Sequence, residues 1–199
     1  MRIEIRGNAD LRKAMRRFTP DLEKALKKEL TQILKPIVRE AKGFVPAQSP
    51  MSGWAGRSFN QGRFPTYNAS TIKAGITYST TPSKINENGF SSMARIENKS
   101  RVGAIYESAG RNGLDGQPWV GRNGSASNRF SHSNNPTAGK TFIQNLPPLV
   151  SSLKGRGRLI YRAWAENQGR AEGAAMKAID TAIRQFRTNV KTATSQKAA

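Results

Sequence analysis

The chain has 199 residues, 36% of them hydrophobic, with 33 Lys and Arg against 13 Asp and Glu and no cysteine. The net charge of +20 favours an anionic partner: nucleic acid, an acidic protein face or a membrane surface. The missing cysteines exclude disulfides and thiolate metal sites, and no stretch approaches the ~18 apolar residues of a membrane span or the apolar region of a leader peptide.

In chain order, "RIEIR" alternates apolar and charged residues and predicts a short strand with Ile3 and Ile5 on one face. Asn8 is a candidate N-cap for a small helix, "ADLRKAMRRF". Thr19-Pro20 is a second start signal, and Leu22, Leu26, Leu30, Ile33, Ile37, Ala41 and Val45 recur at three- and four-residue steps behind it. They predict an amphipathic helix of about 24 residues, with Pro36 inside it and Gly43 and Pro46 at its end. Residues 46–69 are rich in Gly, Pro, Ser and Asn and read as loop. "STIKAGITYST" alternates Ile72, Ala74, Ile76 and Tyr78 and predicts a strand; "MARIENKSRVGAIYESAG" predicts two more strands around a turn at Asn98-Lys99-Ser100. From about 114 to 148 the composition falls to Gly, Asn, Ser and Pro with single aromatics, and reads as an extended loop insertion. A long helix is then predicted from Arg158 to about Val190, striped by Ile160, Trp164, Ala171, Ala175, Ala178, Ile179, Ala182, Ile183 and Phe186. Gly169 and Gly173 weaken its middle, and about 191–199 reads as a frayed tail. These pieces predict a single domain of the α+β class: a small antiparallel sheet packed by two long helices, with extended loops.

The charge is not gathered in an arm. Residues 1–42 hold 12 basic and 6 acidic residues, 43–149 hold 11 and 4, and 150–199 hold 10 and 3, which suits a folded object with a basic surface. Within it, Arg12, Lys13, Arg16 and Arg17 fall within two turns, and Lys154, Arg156, Arg158 and Arg162 lie close together. Both groups read either as contacts to DNA phosphates or an acidic partner, or as a solvated surface. No zinc finger, basic zipper or helix-turn-helix points to sequence readout.

Gly139-Lys140-Thr141 has the tail of a phosphate-binding loop, but the glycine expected five residues earlier is Asn134 and Pro136 lies inside the would-be loop. Nucleotide binding is therefore not expected. The single histidine, His132, reads as a solvated loop residue, and no metal site, cofactor or acid–base pair is visible, so no enzymatic activity is expected. Trp164 lies on a helix stripe and reads as core. Trp54 and Trp119, with Phe130 and Phe142, lie in Gly- and Pro-rich stretches, where they are either anchors for a neighbouring subunit or parts of the chain's own core.

The order of the pieces resembles the neck, or tail-completion, proteins of long-tailed bacteriophages. The resemblance is carried by "LKPIVREAKGFVP" leading to Pro46 and Ser52-Gly53, by "AIYESAG", where Ile105-Tyr106-Glu107 and Gly110 loosely echo a family strand, and by a final helix opening "RLIYRAW". It covers about two-thirds of the chain; the 46–69 loop and the 114–148 segment depart from the family. It implies a structural virion protein, assembled in the host cytoplasm, that forms a sixfold ring at the head–tail junction. Its partners would be copies of itself, the head-closure or connector protein, and the tail terminator or tail-tube protein, with packaged DNA close by. It implies no catalytic residues. The rival expectation from the residues is a basic module that binds nucleic acid without sequence preference, with a nuclease-like enzyme behind it.

Overall fold

A computed structural model describes residues 1–8, 13, 20–56, 65–120, 134–152 and 154–197. The chain is α+β: the described helices are accompanied by a three-stranded sheet and a separate two-stranded ribbon. It divides into two compact units, one of Met1, 40–76 and 98–165, the other of 2–39, 77–97 and 166–199. Among the described residues no helix is long and apolar enough to cross a membrane.

The second unit holds the larger sheet. Strands β1 (Arg2–Asn8), β2 (Ile76–Ser79) and β3 (Phe90–Asn98) lie in the order β1-β3-β2, so β3 is central. β1 runs antiparallel to β3 with Ile3 opposite Ile96 and Ile5 opposite Ala94, and the register shifts between Ile5 and Arg6. On β3 the alternate residues Ser92, Ala94 and Ile96 are buried, the period of two that a one-sided sheet requires. The reversal from β2 into β3 is held by Asn86, whose N–H donates to Phe90 O at 2.8 Å while its Oδ1 accepts from Phe90 N–H at 2.8 Å. Gly89, at φ +75°, supplies the left-handed residue there.

Helix α1 (Pro20–Gly43) is 24 residues long and opens on proline, whose missing N–H has no partner to lose in a first turn. Leu26, Leu30, Leu34, Ile37, Val38 and Ala41 are its buried residues, so the stripe runs through Leu34 rather than the predicted Ile33, which is half-buried. On its outer face Lys27 pairs with Glu23 at 3.5 Å, an i,i+4 pair worth a few tenths of a kcal/mol. The small helix predicted at "ADLRKAMRRF" lies outside the described residues except for Lys13.

The first unit corrects two predicted strands. Residues Ala69–Gly75 form helix α3, preceded by the five-residue α2 (Ser52–Gly56), and only Ile76–Ser79 is strand. The alternation of Ile72, Ala74 and Ile76 is also a four-residue spacing of Ile72 and Ile76, both fully buried. Asn68 decides between the two, since its side chain accepts from Thr71 N–H at 2.8 Å and caps a helix. Likewise "RVGAIYES" is helix α4 (Arg101–Ser108), not a strand, and Asn98-Lys99-Ser100 is its cap rather than a hairpin turn. Asn98 Oδ1 accepts from Ser100 N–H at 2.9 Å, and Ser100 Oγ accepts from Gly103 N–H at 3.1 Å.

The 114–148 segment contains helix α5 (Ala138–Gln144), which buries Ile143. After it come the ribbon strands β4 (Val150–Ser152) and β5 (Gly155–Gly157), antiparallel with Val150 opposite Gly157. Helix α6 (Ile160–Lys197) is longer than its predicted span and continues through most of the stretch read as a frayed tail. Ile160, Tyr161, Ala163, Trp164, Ala171 and Ala178 are buried, whereas Ile179 and Ile183 of the predicted stripe are 37% and 41% exposed.

The glycines of α4 and α6 are expected to respond oppositely to alanine. At Gly169 and Gly173 an added Cβ meets nothing within 4 Å, so each Gly→Ala change should raise stability by about 0.5–1 kcal/mol through the lost freedom of the unfolded chain. At Gly103 the same Cβ would come within 2.9 Å of Asn98 Oδ1, and the clash should reverse the sign, to a loss of about 1–3 kcal/mol. Urea denaturation of the three single variants checks this; a stabilised Gly103→Ala would show that Asn98 is free to move.

Candidate interaction surface

In the first unit two buried charges join α4 to the start of α6. Glu107, fully buried in the last turn of α4, accepts from Leu159 N–H at 2.5 Å (Oε2) and from Tyr161 N–H at 3.0 Å (Oε1). It thus takes the first-turn donors that a helix cannot satisfy itself. In return Arg158, 4% exposed, donates to Tyr106 O at 2.9 Å, to Ala109 O at 2.8 Å and to Pro147 O, the carbonyls leaving α4 and preceding β4. Glu107 thus caps the start of α6, and Arg158, just ahead of α6, caps the end of α4. Burial pushes the Glu107 carboxyl above its ordinary value, against the opposing pull of the Tyr161, Leu159 and Ile160 N–H groups and the Arg111 charge. Burial also lowers the Arg158 pKa, with Tyr106 and Glu107 acting the other way. Gly157 makes room for the carboxylate, since a Cβ there would lie 2.7 Å from Glu107 Cδ.

Beside this clamp lies an aromatic cluster. The Trp54 ring is fully buried, with its centroid 5.2 Å from that of Tyr67 and 5.0 Å from that of Phe142, and its Nε1–H donates to Pro65 O at 2.8 Å. Tyr67 donates to Pro46 O at 2.6 Å, and its ring meets Tyr106 at 6.4 Å. Burial, then the neighbouring Tyr106, push the Tyr67 hydroxyl up to about 12.

These contacts sort the residues singled out in the sequence. Trp54 is part of the chain's own core, not a subunit anchor, because its ring face and its N–H are both spent inside the unit. Phe142, half-buried, packs edge-on against it and belongs to the same core. Trp119 is 48% exposed and Leu114 is 68% exposed, and among the described residues these are the exposed large apolar side chains of this unit. Phe130 lies outside the described residues, as does His132. Gly139-Lys140-Thr141 falls within α5, where Gly139 packs backbone to backbone on Gly116: a Cβ on Gly116 would come 2.8 Å from Gly139 Cα. Lys140 reaches Asp115 at 3.7 Å. The glycine of the motif thus serves close packing.

Of the basic residues, Arg158 is a correction: it is buried and holds carbonyls, and does not face a partner. Arg162, half-buried, lies with its guanidinium 3.9 Å over the Phe44 ring. Lys154 and Arg156 are exposed on the β4–β5 ribbon, and Lys13 is exposed in the other unit. Arg12, Arg16 and Arg17 lie outside the described residues. Sequence reasoning missed Arg111. It exchanges hydrogen bonds with Arg156, each guanidinium donating to the other's backbone carbonyl (Arg156 Nη2 to Arg111 O at 2.8 Å, Arg111 Nη2 to Arg156 O), and it lies 4.9 Å over the Tyr161 ring. Its setting, "AGRNGLDG", has no periodicity to mark it. Among the described residues no group of three or more His, Cys, Asp and Glu side chains comes together. No protein-family model, curated protein or solved structure matches the chain.

Proposed function

We propose that this chain is a structural protein of the neck of long-tailed bacteriophages, forming a ring at the head–tail junction that joins the head connector to the tail. The observation that supports the reading is where the resembling stretches fall. Of "LKPIVREAKGFVP", residues 34–39 lie in the second unit and 40–46 in the first, and Pro46, Ser52-Gly53, "AIYESAG" and "RLIYRAW" lie in the first unit. There Tyr67 ties to Pro46, and Glu107 and Arg158 tie the last two stretches together. Two motifs far apart in the chain that hold one another are the expected remains of a common scaffold, even though "AIYESAG" is helical here where the family pattern suggested a strand. On this reading the chain has no catalytic role, and its place is the virion. The exposed stretch around Leu114 and Trp119 suits contact with a neighbouring subunit, since apolar anchors are what ring interfaces bury.

Light scattering on the purified protein tests this. The expected result is a mass several-fold above 21.8 kDa, six-fold if the family's symmetry holds, that persists from about 0.05 M to about 0.5 M salt. A chain that stays monomeric throughout, and also fails to join particles when mixed with connector and tail proteins, would overturn the reading. If that monomer coated DNA, the chain would be a nucleic-acid module.

A further inference from the structure

The β4–β5 ribbon presents two exposed cations, Lys154 and Arg156, of which Arg156 is held in place by the fold. The Arg111 side chain reaches the carbonyl of Arg156, and the Arg156 side chain reaches that of Arg111, so both guanidiniums lie between the same two chain segments. The ribbon itself is fixed. Gly155, at φ +136°, lies so close to the buried Tyr161 ring that a Cβ would be 2.9 Å from its Cε1, and Arg111 covers the same ring. Arg156 thereby has one side of its fork committed and Nε and Nη1 left to donate. Lys154, two residues earlier, is exposed, and among the described residues neither Lys154 nor Arg156 has a carboxylate partner. The described exposed residues of the ribbon, Ser151, Lys154 and Arg156, are all polar donors.

We propose that this ribbon is a contact for the sugar–phosphate backbone of duplex DNA, with Lys154 and Arg156 on phosphate oxygens and Arg111 as the positioning residue that holds Arg156. Like charges brought together favour an anion between them, and a guanidinium already fixed loses less rotamer freedom on binding than a free one. A polyanion suits the ribbon better than an acidic protein surface. A protein interface is built around apolar anchors that its described exposed residues lack, whereas phosphate contacts need only Lys, Arg and Ser donors. The charge excess continues along the whole chain, which suits a ligand of uniform charge and carries no base readout. The inference rests on the neck reading for its setting, since a protein at the head–tail junction has duplex DNA beside it.

The test is fluorescence anisotropy of the full chain with two labelled duplexes of unrelated sequence, across a range of salt, for the wild type and for the Lys154→Ala/Arg156→Ala double variant. Wild-type affinity should fall steeply with salt and be equal for the two duplexes. The double variant should bind both about ten-fold or more weakly at low salt, with a slope of log K against log salt shallower by about 2, roughly 0.9 per lost phosphate contact. Its melting temperature should fall only slightly, by the loss of the one exposed hydrogen bond from Arg156 to the Arg111 carbonyl, because both side chains are exposed. Arg111→Lys keeps the charge but loses the fork, and should give an intermediate loss at nearly unchanged slope. No binding by the wild type at the lowest salt, an unchanged slope in the double variant, or poly-L-glutamate competing as well as DNA at equal charge would overturn the proposal. Light scattering in the same buffers separates the two readings: a ring without DNA binding sinks this inference alone, and DNA binding by a chain that never assembles sinks the neck.

Discussion

Glu107→Ala is expected to lower the stability of the chain by about 3–5 kcal/mol, a large part of what a domain of this size has. The change removes the acceptor for the buried N–H groups of Leu159 and Tyr161, each costing about 1–3 kcal/mol when left unsatisfied, and strips Arg158 of a compensating charge. Arg158→Ala should cost a similar amount, by orphaning the carbonyls of Tyr106, Ala109 and Pro147. Because the two residues serve one joint, the double variant should lose clearly less than the sum of the singles; strict additivity in denaturant titrations would mean that the two caps act independently. The pH dependence has a defined sign. A carboxyl whose folded pKa is raised binds more protons folded than unfolded. Its contribution is therefore full below the ordinary value of 4.5 and is lost as pH rises through the folded value. Measured against Glu107→Gln, which does not titrate, the wild-type advantage should be widest below pH 4.5 and shrink as pH rises from there. A gap that widened with rising pH would show that the N–H bonds outweigh burial at this carboxyl.

Trp54→Ala is expected to cost about 3–5 kcal/mol, the range for emptying a large aromatic site in a packed core. Trp54→Phe should recover most of this by keeping the contacts to Tyr67 and Phe142, leaving about 1–2 kcal/mol for the unmet Pro65 carbonyl. Thermal melts at several protein concentrations separate core from interface. A core residue shifts the midpoint equally at every concentration, whereas a subunit anchor would shift it by an amount that depends on concentration.

Helix α1 was legible because apolar residues repeated at three- and four-residue steps over 24 residues line up on one side of a helix and of no other regular backbone. The error of one position, Ile33 for Leu34, is the drift expected when a stripe wide enough for two neighbours is read as a line. "STIKAG" and "RVGAIYES" were misread because in short segments a period of two and a spacing of four coincide. The choice there fell to Asn68 and Ser100, single side chains whose capping role depends on backbone geometry. The candidate surface was legible in composition and not in detail. Arg156 and Arg158 stand two apart in "GRGRLIYR", yet one is exposed and the other 4% exposed. Nothing local distinguishes them, because the carbonyls that claim Arg158 come from residues 106, 109 and 147. The same holds for Trp54, whose neighbours in "SPMSGWAGR" gave no hint that Tyr67 and Phe142 would close over it.

The Glu107–Arg158 joint, with Arg111 and Arg156 just inside it, also acts as a drawstring. It gathers the chain at two points 45 to 54 residues apart, so everything between leaves and returns through one neck. The entropy of closing such a loop grows only with the logarithm of its length, and doubling it costs about 0.6 kcal/mol. The joint itself is worth several times that. Added length between Val120 and Asn134 is therefore nearly free in thermodynamic terms as long as the drawstring holds, whereas Phe142 and Ile143 of α5 belong to the core and fix the rest of the span.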